Sequence, residues 1–256
     1  MNDGARGFVG RQVLMFESGP TLVAAADLDG DRRTDLAVAC GNTASRLGVA
    51  LGRGGGDFPP FSTNAFPTLL EPRALLLADF DQDTKGDLLV AFSGSNYVAE
   101  IPISLSRIDA ISDPLGMHGP RGLVAADLNG DGCLDLATAN AGAAGVTVLS
   151  CMKASHTFAS PIDVGLPAAA VAVAAGRFDI DGSMDLVAAL SDGRLVLLYN
   201  NGSGSLTAAS PIRIGTQTAA LATGDIDGDG QSDIVAANAG NGGNEGPGLS
   251  VLQSTS

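Results

Sequence analysis

The sequence has no tryptophan, two tyrosines, nine phenylalanines and three cysteines in 256 residues. Three cysteines are too few to build a disulfide-based fold, and no stretch approaches the roughly 20 apolar residues of a membrane-spanning helix. The opening MNDGARGFVG contains no apolar core of the length that a signal peptide needs. Long helical periodicity is scarce, whereas 35 glycines and 45% hydrophobic residues are typical of short strands joined by tight turns. We therefore expect an all-β fold that does not insert into a membrane.

Five aspartate-rich segments of nine residues recur along the chain. They are DLDGDRRTD from residue 27, DFDQDTKGD from 79, DLNGDGCLD from 127, RFDIDGSMD from 177 and DIDGDGQSD from 225. Their starts lie 52, 48, 50 and 48 residues apart. A period of about 50 residues over a whole chain indicates a repeat architecture. We therefore predict one domain over residues 1–256.

Short apolar runs surround every aspartate segment in the same order. One run precedes the segment, as in LVAAA (22–26), and a second follows it, as in LAVAC (36–40). A third run follows a Gly/Asn/Ser turn, and most repeats add a fourth, such as TFASPIDV (157–164) and LTAASPIRI (206–214). Short runs rich in Val, Ile and Leu and bounded by turns favour strands, and four antiparallel strands per repeat are typical of a propeller blade. The first run has no polar face and ends in Ala or Gly, so we place it innermost.

The two ends of the chain offer complementary strands. The fifth repeat stops after its third strand, and an extra strand, GFVGRQVLMF, precedes the first aspartate segment. Phe8 lies 19 residues before Asp27, and Ile108, Phe158 and Leu206 lie 19 residues before their own segments. We predict that the N-terminal strand completes the last blade and closes a five-bladed propeller, which protects edges that would otherwise aggregate. The alternative is a set of five repeats from a larger ring.

Aspartates at positions 1, 3, 5 and 9 of a segment place like charges close together. With the main-chain carbonyl at position 7, they offer the hard oxygen ligands that Ca²⁺ accepts in a flexible geometry, whereas Mg²⁺ demands a stricter one. No His, Cys or Met recurs in the segments, which argues against softer metals. Position 12 lies in an apolar strand, which excludes the Glu and the following helix of an EF-hand; its residues are Val38, Val90, Thr138, Ala188 and Ala236. The turn preference of Asp is the alternative, but it explains only one or two aspartates in each segment.

The acidic charge is concentrated in these segments. The formal net charge is −14, yet without the 18 aspartates of the segments only 10 acidic residues remain against 14 Lys and Arg. The acidity therefore indicates a demand for metal ions, and it gives no support to a nucleic-acid partner.

The stretches ADLDGDRRTDLAVA, ADLNGDGCLDLATAN and GDIDGDGQSDIVAAN resemble FG-GAP/VCBS repeats. These repeats form the calcium-binding blades of integrin α-chain propellers and of many bacterial surface and secreted proteins. The resemblance covers essentially the whole chain, and it is closer to the bacterial version because the FG and GAP signatures are missing. It implies Ca²⁺ between the first and second strands of each blade, held by side chains at positions 1, 3, 5 and 9 and by the position-7 carbonyl.

Carried over to this sequence, the resemblance implies about four calcium sites. Their residues are Asp27, Asp29, Asp31, the Arg33 carbonyl and Asp35 in the first segment; Asp79, Asp81, Asp83, the Lys85 carbonyl and Asp87 in the second; Asp127, Asn129, Asp131, the Cys133 carbonyl and Asp135 in the third; and Asp225, Asp227, Asp229, the Gln231 carbonyl and Asp233 in the fifth. The fourth segment departs from the pattern because Arg177 replaces the first aspartate. Its guanidinium is a candidate to neutralise Asp179, Asp181 and Asp185 in place of a metal, so we expect this site to be weak or empty.

No catalytic constellation is evident. His118 and His156 lie in different repeats without an evident acid partner, and neither G-x-S-x-G nor a P-loop occurs. Aspartates repeated in every copy argue against one unique catalytic pair. We expect a monomeric, non-enzymatic module that binds a glycan or an extracellular protein, at the cell surface or outside the cell where calcium is abundant. The alternatives are a calcium-stabilised spacer without a ligand and an accessory domain of a secreted carbohydrate-active enzyme.

The resemblance places ligand contacts on loops opposite the aspartate segments. These loops are residues 68–73, 94–96, 115–121, 141–144 and 238–248. Arg73 and Arg121 each lie six residues before a segment, at matching points of adjacent blades. With His118 they are candidates to hold an acidic or sugar ligand; solvated rim charges are the alternative, and the scarcity of aromatic residues weakens sugar binding.

Cys133 and Cys151 flank the hairpin LDLATANAGAAGVTVLS, whose turn centres near Gly142. Antiparallel pairing about that turn places the two cysteines almost opposite each other, where Cβ atoms lie about 4.5–5.5 Å apart and near the range of a disulfide. The sequence leaves open a bridge or two buried thiols. Cys40 ends an apolar strand, so we expect it in the core.

Overall fold

The structure is a computed structural model that describes residues 12–16, 19–41, 45–59, 63–66, 70–80, 82–101, 103–104, 107–108, 115–154, 157–240 and 247–254. The chain divides into two compact units, Met1–Pro114 and Leu115–Ser256. In these described ranges the only helical element is a 3₁₀ turn, Ser93–Ser95, and all other regular structure is antiparallel strand. The all-β prediction is confirmed. No helix in the described part of the chain has the length and apolarity needed to cross a membrane.

The first unit contains two principal sheets. Its strands are β1 (Pro20–Ala26), β2 (Asp35–Cys40), β3 (Ser45–Ala50), β4 (Thr63–Phe66), β5 (Pro72–Ala78), β6 (Asp87–Phe92), β7 (Tyr97–Ile101), β8 (Ile103–Ser104) and β9 (Arg107–Ile108). The first sheet has the order β1-β2-β3-β4, and β5, β6 and β7 are neighbours in the second. Strands β1 and β5 contact each other, as first strands that converge on an axis should.

The second unit contains three principal sheets. Its strands are β10 (Leu115–Gly116), β11 (Pro120–Ala126), β12 (Asp135–Asn140), β13 (Gly145–Leu149), β14 (Cys151–Met152), β15 (Thr157–Phe158), β16 (Ile162–Gly165), β17 (Ala170–Gly176), β18 (Asp185–Leu190), β19 (Arg194–Asn200), β20 (Leu206–Ala208), β21 (Ile212–Arg213), β22 (Thr218–Gly224), β23 (Asp233–Asn238) and β24 (Gly248–Leu252). The sheets are β11-β12-β13-β16, β17-β18-β19 with both β20 and β21 on β19, and β22-β23-β24. First strands again meet, β11 with β17 and β17 with β22.

Every aspartate segment connects the first strand of a sheet to the second, as predicted. The residue before the segment pairs with the ninth residue in all five copies; the pairs are Ala26–Asp35, Ala78–Asp87, Ala126–Asp135, Gly176–Asp185 and Gly224–Asp233. A strand rather than a helix therefore follows each segment, which confirms that the segments are not EF-hands.

The core lies between successive sheets, and the second residue of a segment packs against the sheet that follows. Leu28 belongs to the cluster that contains Leu88 of the next sheet, and Leu128 belongs to the cluster that contains Leu186. Phe178 packs in the same way against the cluster that contains Ile234 of the fifth sheet. All residues of β12 and β18 are buried, because these second strands have a sheet neighbour on each side and small alanines that allow close packing. Cys40, at the end of β2, is fully buried as predicted.

The predicted fourth strands are wrong in detail. The run 157–164 splits into β15, which pairs with β14, and β16, which pairs with β13. The run 206–214 splits into β20 and β21, which both pair with β19. A Ser–Pro pair lies between the two halves in each case, and proline interrupts a ladder because it has no N–H to donate.

The predicted closing strand falls mostly on residues 1–11, which lie outside the described residues. Gln12 to Phe16 form no strand, and Gln12 instead bonds to the main chain of Phe58. Its Nε2 donates to the Phe58 carbonyl at 2.5 Å, and the Phe58 N–H donates to its Oε1 at 3.0 Å. Closure into a five-bladed ring stays a prediction.

Candidate metal centres

The ninth residue of each segment is an aspartate that accepts from the N–H of the second residue, and in the first, third, fourth and fifth segments it also accepts from an N–H at the end of the third strand or just after it. In the first segment, Asp35 Oδ2 accepts from the N–H of Leu28 at 2.8 Å, and Oδ1 accepts from the N–H of Gly52 at 2.7 Å. The contacts recur from Phe80 to Asp87 (2.9 Å), from Leu128 and Cys151 to Asp135 (2.9 and 2.7 Å), from Phe178 and Asn200 to Asp185 (3.0 and 2.8 Å), and from Ile226 and Ser254 to Asp233 (2.8 and 2.9 Å). This aspartate therefore ties the start of the segment to the chain that follows the third strand. From the sequence this aspartate was predicted only as a metal ligand, and its structural role was not predicted.

Burial shifts the ionisation of these aspartates. Asp135 and Asp185 are buried, and loss of hydration raises the pKa of both carboxyls, although the N–H groups of Cys151 and Leu128, and of Asn200 and Phe178, act in the opposite direction. Neighbouring aspartates of the same segment raise these pKa values further. The N–H groups of Ser254 and Ile226 lower the pKa of Asp233.

The first residue of the segment organises the turn. Asp27 Oδ1 accepts from the N–H of Gly30 at 2.8 Å, and Oδ2 accepts from that of Arg32 at 2.7 Å. The same two contacts come from Gly130 and Gly132 to Asp127 (2.8 and 2.9 Å) and from Gly228 and Gly230 to Asp225 (2.6 and 3.0 Å); Asp79 accepts from Asp83 and Thr84 (both 3.0 Å). The main chain at position 6 has positive φ in every segment, which explains why three of the five residues there are glycine.

Positions 3 and 5 form local turns of the aspartate type. At position 3, the N–H two residues later donates to one side-chain oxygen of Asp29 (3.0 Å), Asn129 (2.9 Å), Asp179 (3.0 Å) and Asp227 (3.2 Å). At position 5, the N–H of the position-7 residue donates to Asp31 (2.8 Å), Asp83 (2.8 Å), Asp131 (2.7 Å), Asp181 (2.7 Å) and Asp229 (2.8 Å). The position-7 residues whose carbonyls are predicted ligands are therefore held in place by their own N–H groups, which bind the position-5 aspartate; these residues are Arg33, Lys85, Cys133 and Gln231. A carboxylate with one oxygen in such a turn keeps the other oxygen for a cation.

Two segments bring three carboxylates together. In the first segment, one oxygen each of Asp27, Asp29 and Asp35 lies within 4.8 Å of the others, and in the fifth the same holds for Asp225, Asp227 and Asp229. Full charges this close repel unless a cation lies between them. Oxygen-only ligands of this charge and spacing fit Ca²⁺. The residues of the first and fifth sites therefore fit the predicted ion.

The other predicted ligands are placed less closely. Asp31 and Asp233 lie outside these two triplets, and in the described residues the acids of the second and third segments form no such triplet. Asp81 lies outside the described residues, and Asn129 contributes an amide oxygen in place of a third-segment acid.

Cationic side chains accompany the first three segments. Arg33 Nη1 lies 3.2 Å from Asp31 Oδ2, Lys85 Nζ lies 3.9 Å from Asp83 Oδ2, and Lys153 Nζ donates to the Asp131 carbonyl at 2.6 Å. The fifth segment has neutral contacts, from Gln253 Nε2 to Asp227 and from Ser254 Oγ to Asp229, both at 3.4 Å. Lys153, Gln253 and Ser254 were not predicted from the sequence, because they lie beyond the third strands and no local motif marks them as neighbours of a segment.

The first residue of the fourth segment, Arg177, binds the fifth segment through its main chain. Arg177 N–H donates to Ser232 Oγ at 3.1 Å, and the Ser232 N–H donates to the Arg177 carbonyl at 2.8 Å. Within the described ranges no ion pair joins the Arg177 guanidinium to the three acids of this segment. Ile180 at the tip is 88% exposed.

The opposite side of the third sheet carries a polar chain that ends at an acid–base pair. Asn140 Nδ2 donates to Thr147 Oγ1 at 2.6 Å, and Thr147 donates to Asp163 Oδ1 at 2.5 Å. Asp163 Oδ2 lies 3.9 Å from His118 Nε2, so the expectation that His118 has no acid partner is wrong. Of the other candidates, Arg73 pairs with Glu71 at 3.2 Å, and His156 lies outside the described residues.

Cys133 and Cys151 form a disulfide with a Cα–Cα distance of 5.8 Å. Of the two possibilities that the sequence leaves open, the structure contains the bridge. The turn of the hairpin lies at residues 141–144, as predicted.

Comparison with known proteins gives a family and a fold. The profile of the FG-GAP-like repeat matches residues 27–90, 79–138 and 177–236. No curated protein matches the chain. Among solved structures, the chain is similar to BBS1N, crystallised in complex with ARL6DN (TM-score 0.58, 16% identity, covering 96% of this chain and 69% of that one). It is also similar to a putative 6-phosphogluconolactonase from Bacteroides uniformis ATCC 8492 (TM-score 0.57, 12% identity, covering 90% and 71%). At these identities the likeness shows the fold alone, and it agrees with a propeller-like arrangement of antiparallel sheets.

Proposed function

Because the chain belongs to the FG-GAP-like repeat family, we propose that it is a calcium-binding β-propeller module that presents ligand-binding loops outside the cell. One observation carries the calcium assignment: Asp27, Asp29 and Asp35 bring carboxylate oxygens within 4.8 Å of one another. Bound Ca²⁺ supplies the positive charge that offsets this repulsion.

The ligands of the four sites are the sets given for the first, second, third and fifth segments. The first residue of each of these segments orders the turn through its two N–H contacts, and in the first, third and fifth segments the ninth residue joins the turn to the end of the third strand. Both contacts pre-organise the remaining oxygens, so that little conformational entropy is lost when the ion binds. The fourth segment, with Arg177 at its first position, has the weakest ligand set.

Metal content tests this assignment directly. After exhaustive dialysis against chelator and then against micromolar calcium, inductively coupled plasma mass spectrometry is expected to find about four calcium ions in each chain. Asp27→Ala is expected to lower the content by one ion, whereas Asp192→Ala, which removes an exposed aspartate paired with Arg194, leaves it unchanged. A calcium content near zero for the unmodified protein would reject the proposal.

We further propose that the sheets form a five-bladed ring in which the predicted N-terminal strand GFVGRQVLMF pairs with β24, so that ring closure requires residues 12–16 to leave their present non-strand conformation and the Gln12–Phe58 contact. The apolar side chains of Leu249 and Val251 on β24 are 72% and 56% exposed, and they line a groove of about 760 Å³ between residues 212–216 and β24. Ile226 supports the same closure: it is 55% exposed, whereas its counterparts Leu28 and Leu128 are 0% and 2% exposed beneath a following sheet. An uncovered edge of this kind promotes association.

Deletion of residues 1–16 tests the closure. The shortened chain is expected to lose stability and to form dimers and larger species, because the edge of β24 becomes available to other molecules. Size-exclusion chromatography with light scattering measures the change, and a shortened chain that stays monomeric with an unchanged Tm contradicts the closure.

The module is proposed to act by binding an extracellular glycan or protein rather than by catalysis. The supporting feature is the polar chain from Asn140 to Asp163, which fixes a carboxylate beside His118 on the side opposite the aspartate segment. A glycan and matrix-protein array, probed with and without calcium, is expected to give a calcium-dependent signal that Asp163→Ala abolishes. No signal above background would favour a calcium-stabilised spacer instead.

A further inference from the structure

The third aspartate segment differs from the others in a covalent link to the chain that follows the third strand. Cys133 occupies position 7 of the segment, and its disulfide partner Cys151 is the first residue of β14. Both cysteines are buried, with 0% and 6% of their surface exposed. The bridge therefore lies within the folded sheet and not at a loose loop.

Each of the two bridged residues also holds one of the predicted calcium ligands. The N–H of Cys133 donates to Asp131 Oδ1 at 2.7 Å, and the N–H of Cys151 donates to Asp135 Oδ1 at 2.7 Å. The carbonyl of Cys133 is itself the predicted position-7 ligand. One covalent bond thus restrains a main-chain ligand and the donors that orient two carboxylates.

Lys153 extends the same connection. It follows Cys151 by two residues, and its Nζ donates to the Asp131 carbonyl at 2.6 Å. Asn129 replaces an acid in this segment, so the third site has three carboxylates where the first and fifth have four. With less charge to attract the ion, its affinity depends more on how well the oxygens are held in place.

The fifth segment has the same hydrogen bonds without the bridge. The N–H of Gln231 donates to Asp229 at 2.8 Å, and that of Ser254 donates to Asp233 at 2.9 Å. It therefore serves as an internal reference for the third segment, because its turn contacts correspond although it lacks the covalent link and the lysine contact and has Asp227 where the third segment has Asn129.

We propose that the Cys133–Cys151 disulfide positions the calcium ligands of the third segment, so that this site alone loses affinity when the bridge is reduced. The inference rests on the proposed calcium binding. A dithiol reductant donates two electrons and two protons to the S–S bond, which yields the two cysteine thiols and leaves the reductant as its own disulfide. The Cys133 peptide is then held by its hydrogen bond alone, and the turn has more conformations to lose on binding the ion.

Amide NMR separates the two sites within one sample. Gly132 and Gly230 both occupy position 6, and their N–H groups donate to Asp127 at 2.9 Å and to Asp225 at 3.0 Å. Calcium titrations of ¹⁵N-labelled protein are run with the bridge intact, after reduction with dithiothreitol, and on the Cys133→Ser/Cys151→Ser variant. The expected result is a calcium Kd at Gly132 that rises roughly tenfold without the bridge, while the Kd at Gly230 is unchanged. Cys40→Ala, which keeps the bridge, is the matched control and is expected to behave as the unmodified protein.

The two glycines also distinguish the ways in which the idea can fail. If Gly230 responds to calcium and Gly132 has the same Kd with and without the bridge, the disulfide has no positioning role and this inference is overturned. If neither glycine responds in any state, the proposed calcium binding fails and this inference falls with it. Should the double variant not fold, the reduced unmodified protein gives the same comparison, with the Gly230 response as the check that the fold is intact.

Discussion

The side chain of Asn200 donates its Nδ2 to the main-chain carbonyl of Leu128 at 2.6 Å, and so connects the fourth sheet to the aspartate segment of the third. The same nitrogen donates to the Met184 carbonyl at 2.9 Å, and the Oδ1 accepts from Gly202 and Gly204 at 3.2 and 3.1 Å. Asn200 is 2% exposed. One buried amide therefore binds main-chain groups of the third aspartate segment, of the fourth aspartate segment and of the turn at residues 202–204.

Replacement of Asn200 should be costly. Asn200→Ala leaves the Leu128 and Met184 carbonyls without this donor, and a buried polar group that loses its partner costs about 1–3 kcal/mol. We expect the free energy of unfolding to fall by about 3 kcal/mol in urea denaturation. Asn201→Ala, at the exposed neighbouring position, removes only local turn contacts and is expected to lower the free energy of unfolding by less than about 1 kcal/mol. Equal losses for the two variants would contradict the bridging role of Asn200.

Two aspartates of the fourth segment should ionise differently in calcium-free buffer. Burial raises the pKa of Asp185, whereas the Ser183 N–H lowers that of the exposed Asp181. A raised carboxyl pKa in the folded state means that the ionised Asp185 opposes folding at neutral pH, and that this penalty disappears as the pH falls through its folded pKa. The contribution of Asp181 has the opposite sign: it is present above the unfolded pKa and is lost as the pH falls.

Carboxyl-detected NMR titration measures both residues in one experiment. Asp185 is expected to titrate at a higher pH than Asp181, and Asp185→Asn is expected to remove the upper transition only. The reverse order of the two titrations would show that the hydrogen bonds from Phe178 and Asn200 outweigh the burial of Asp185.

The sequence was sufficient for features that repeat and insufficient for contacts between elements. The spacing of the aspartates and the apolar runs around them predicted the strand–segment–strand units, because alternation and turn chemistry are local. The role of Asp35 as a link to Gly52 was not predictable in the same way, since the two residues meet only after the third strand has paired. The Lys153–Asp131 and His118–Asp163 contacts likewise depend on the register of whole strands. Cys133 and Cys151 lie between these two cases: the register of one hairpin was enough to place them near disulfide distance of each other, but not to decide between a bridge and two thiols.

The cations beside the first two segments are expected to weaken calcium binding there. Arg33 and Lys85 occupy position 7 of their segments, and each lies near the position-5 carboxylate. The fifth segment has the uncharged Gln231 at position 7. Exposed pairs of this kind are worth about 0.2–1 kcal/mol, so Arg33→Gln should tighten calcium binding at the first site a few-fold. Isothermal titration calorimetry of Arg33→Gln and Lys85→Gln measures the change, with Arg53→Gln, outside the segment, as the control. Weaker binding in both variants would indicate that these side chains support the site instead of competing with the ion.

Removal of calcium should lower the stability of the whole protein. A ligand at about 100 times its Kd adds roughly 2.7 kcal/mol for each site that the unfolded chain lacks, and several such sites are comparable to the roughly 5–15 kcal/mol net stability of a domain. We therefore expect excess EGTA to lower the Tm steeply, and Asp225→Ala to reduce the difference between the calcium-loaded and calcium-free Tm. Asp192→Ala should leave that difference intact, because Asp192 pairs with Arg194 away from the segments. A Tm that is the same in EGTA and in millimolar calcium would mean that main-chain N–H groups alone, such as those of Leu28 and Gly52 on Asp35, are enough to hold the aspartates together.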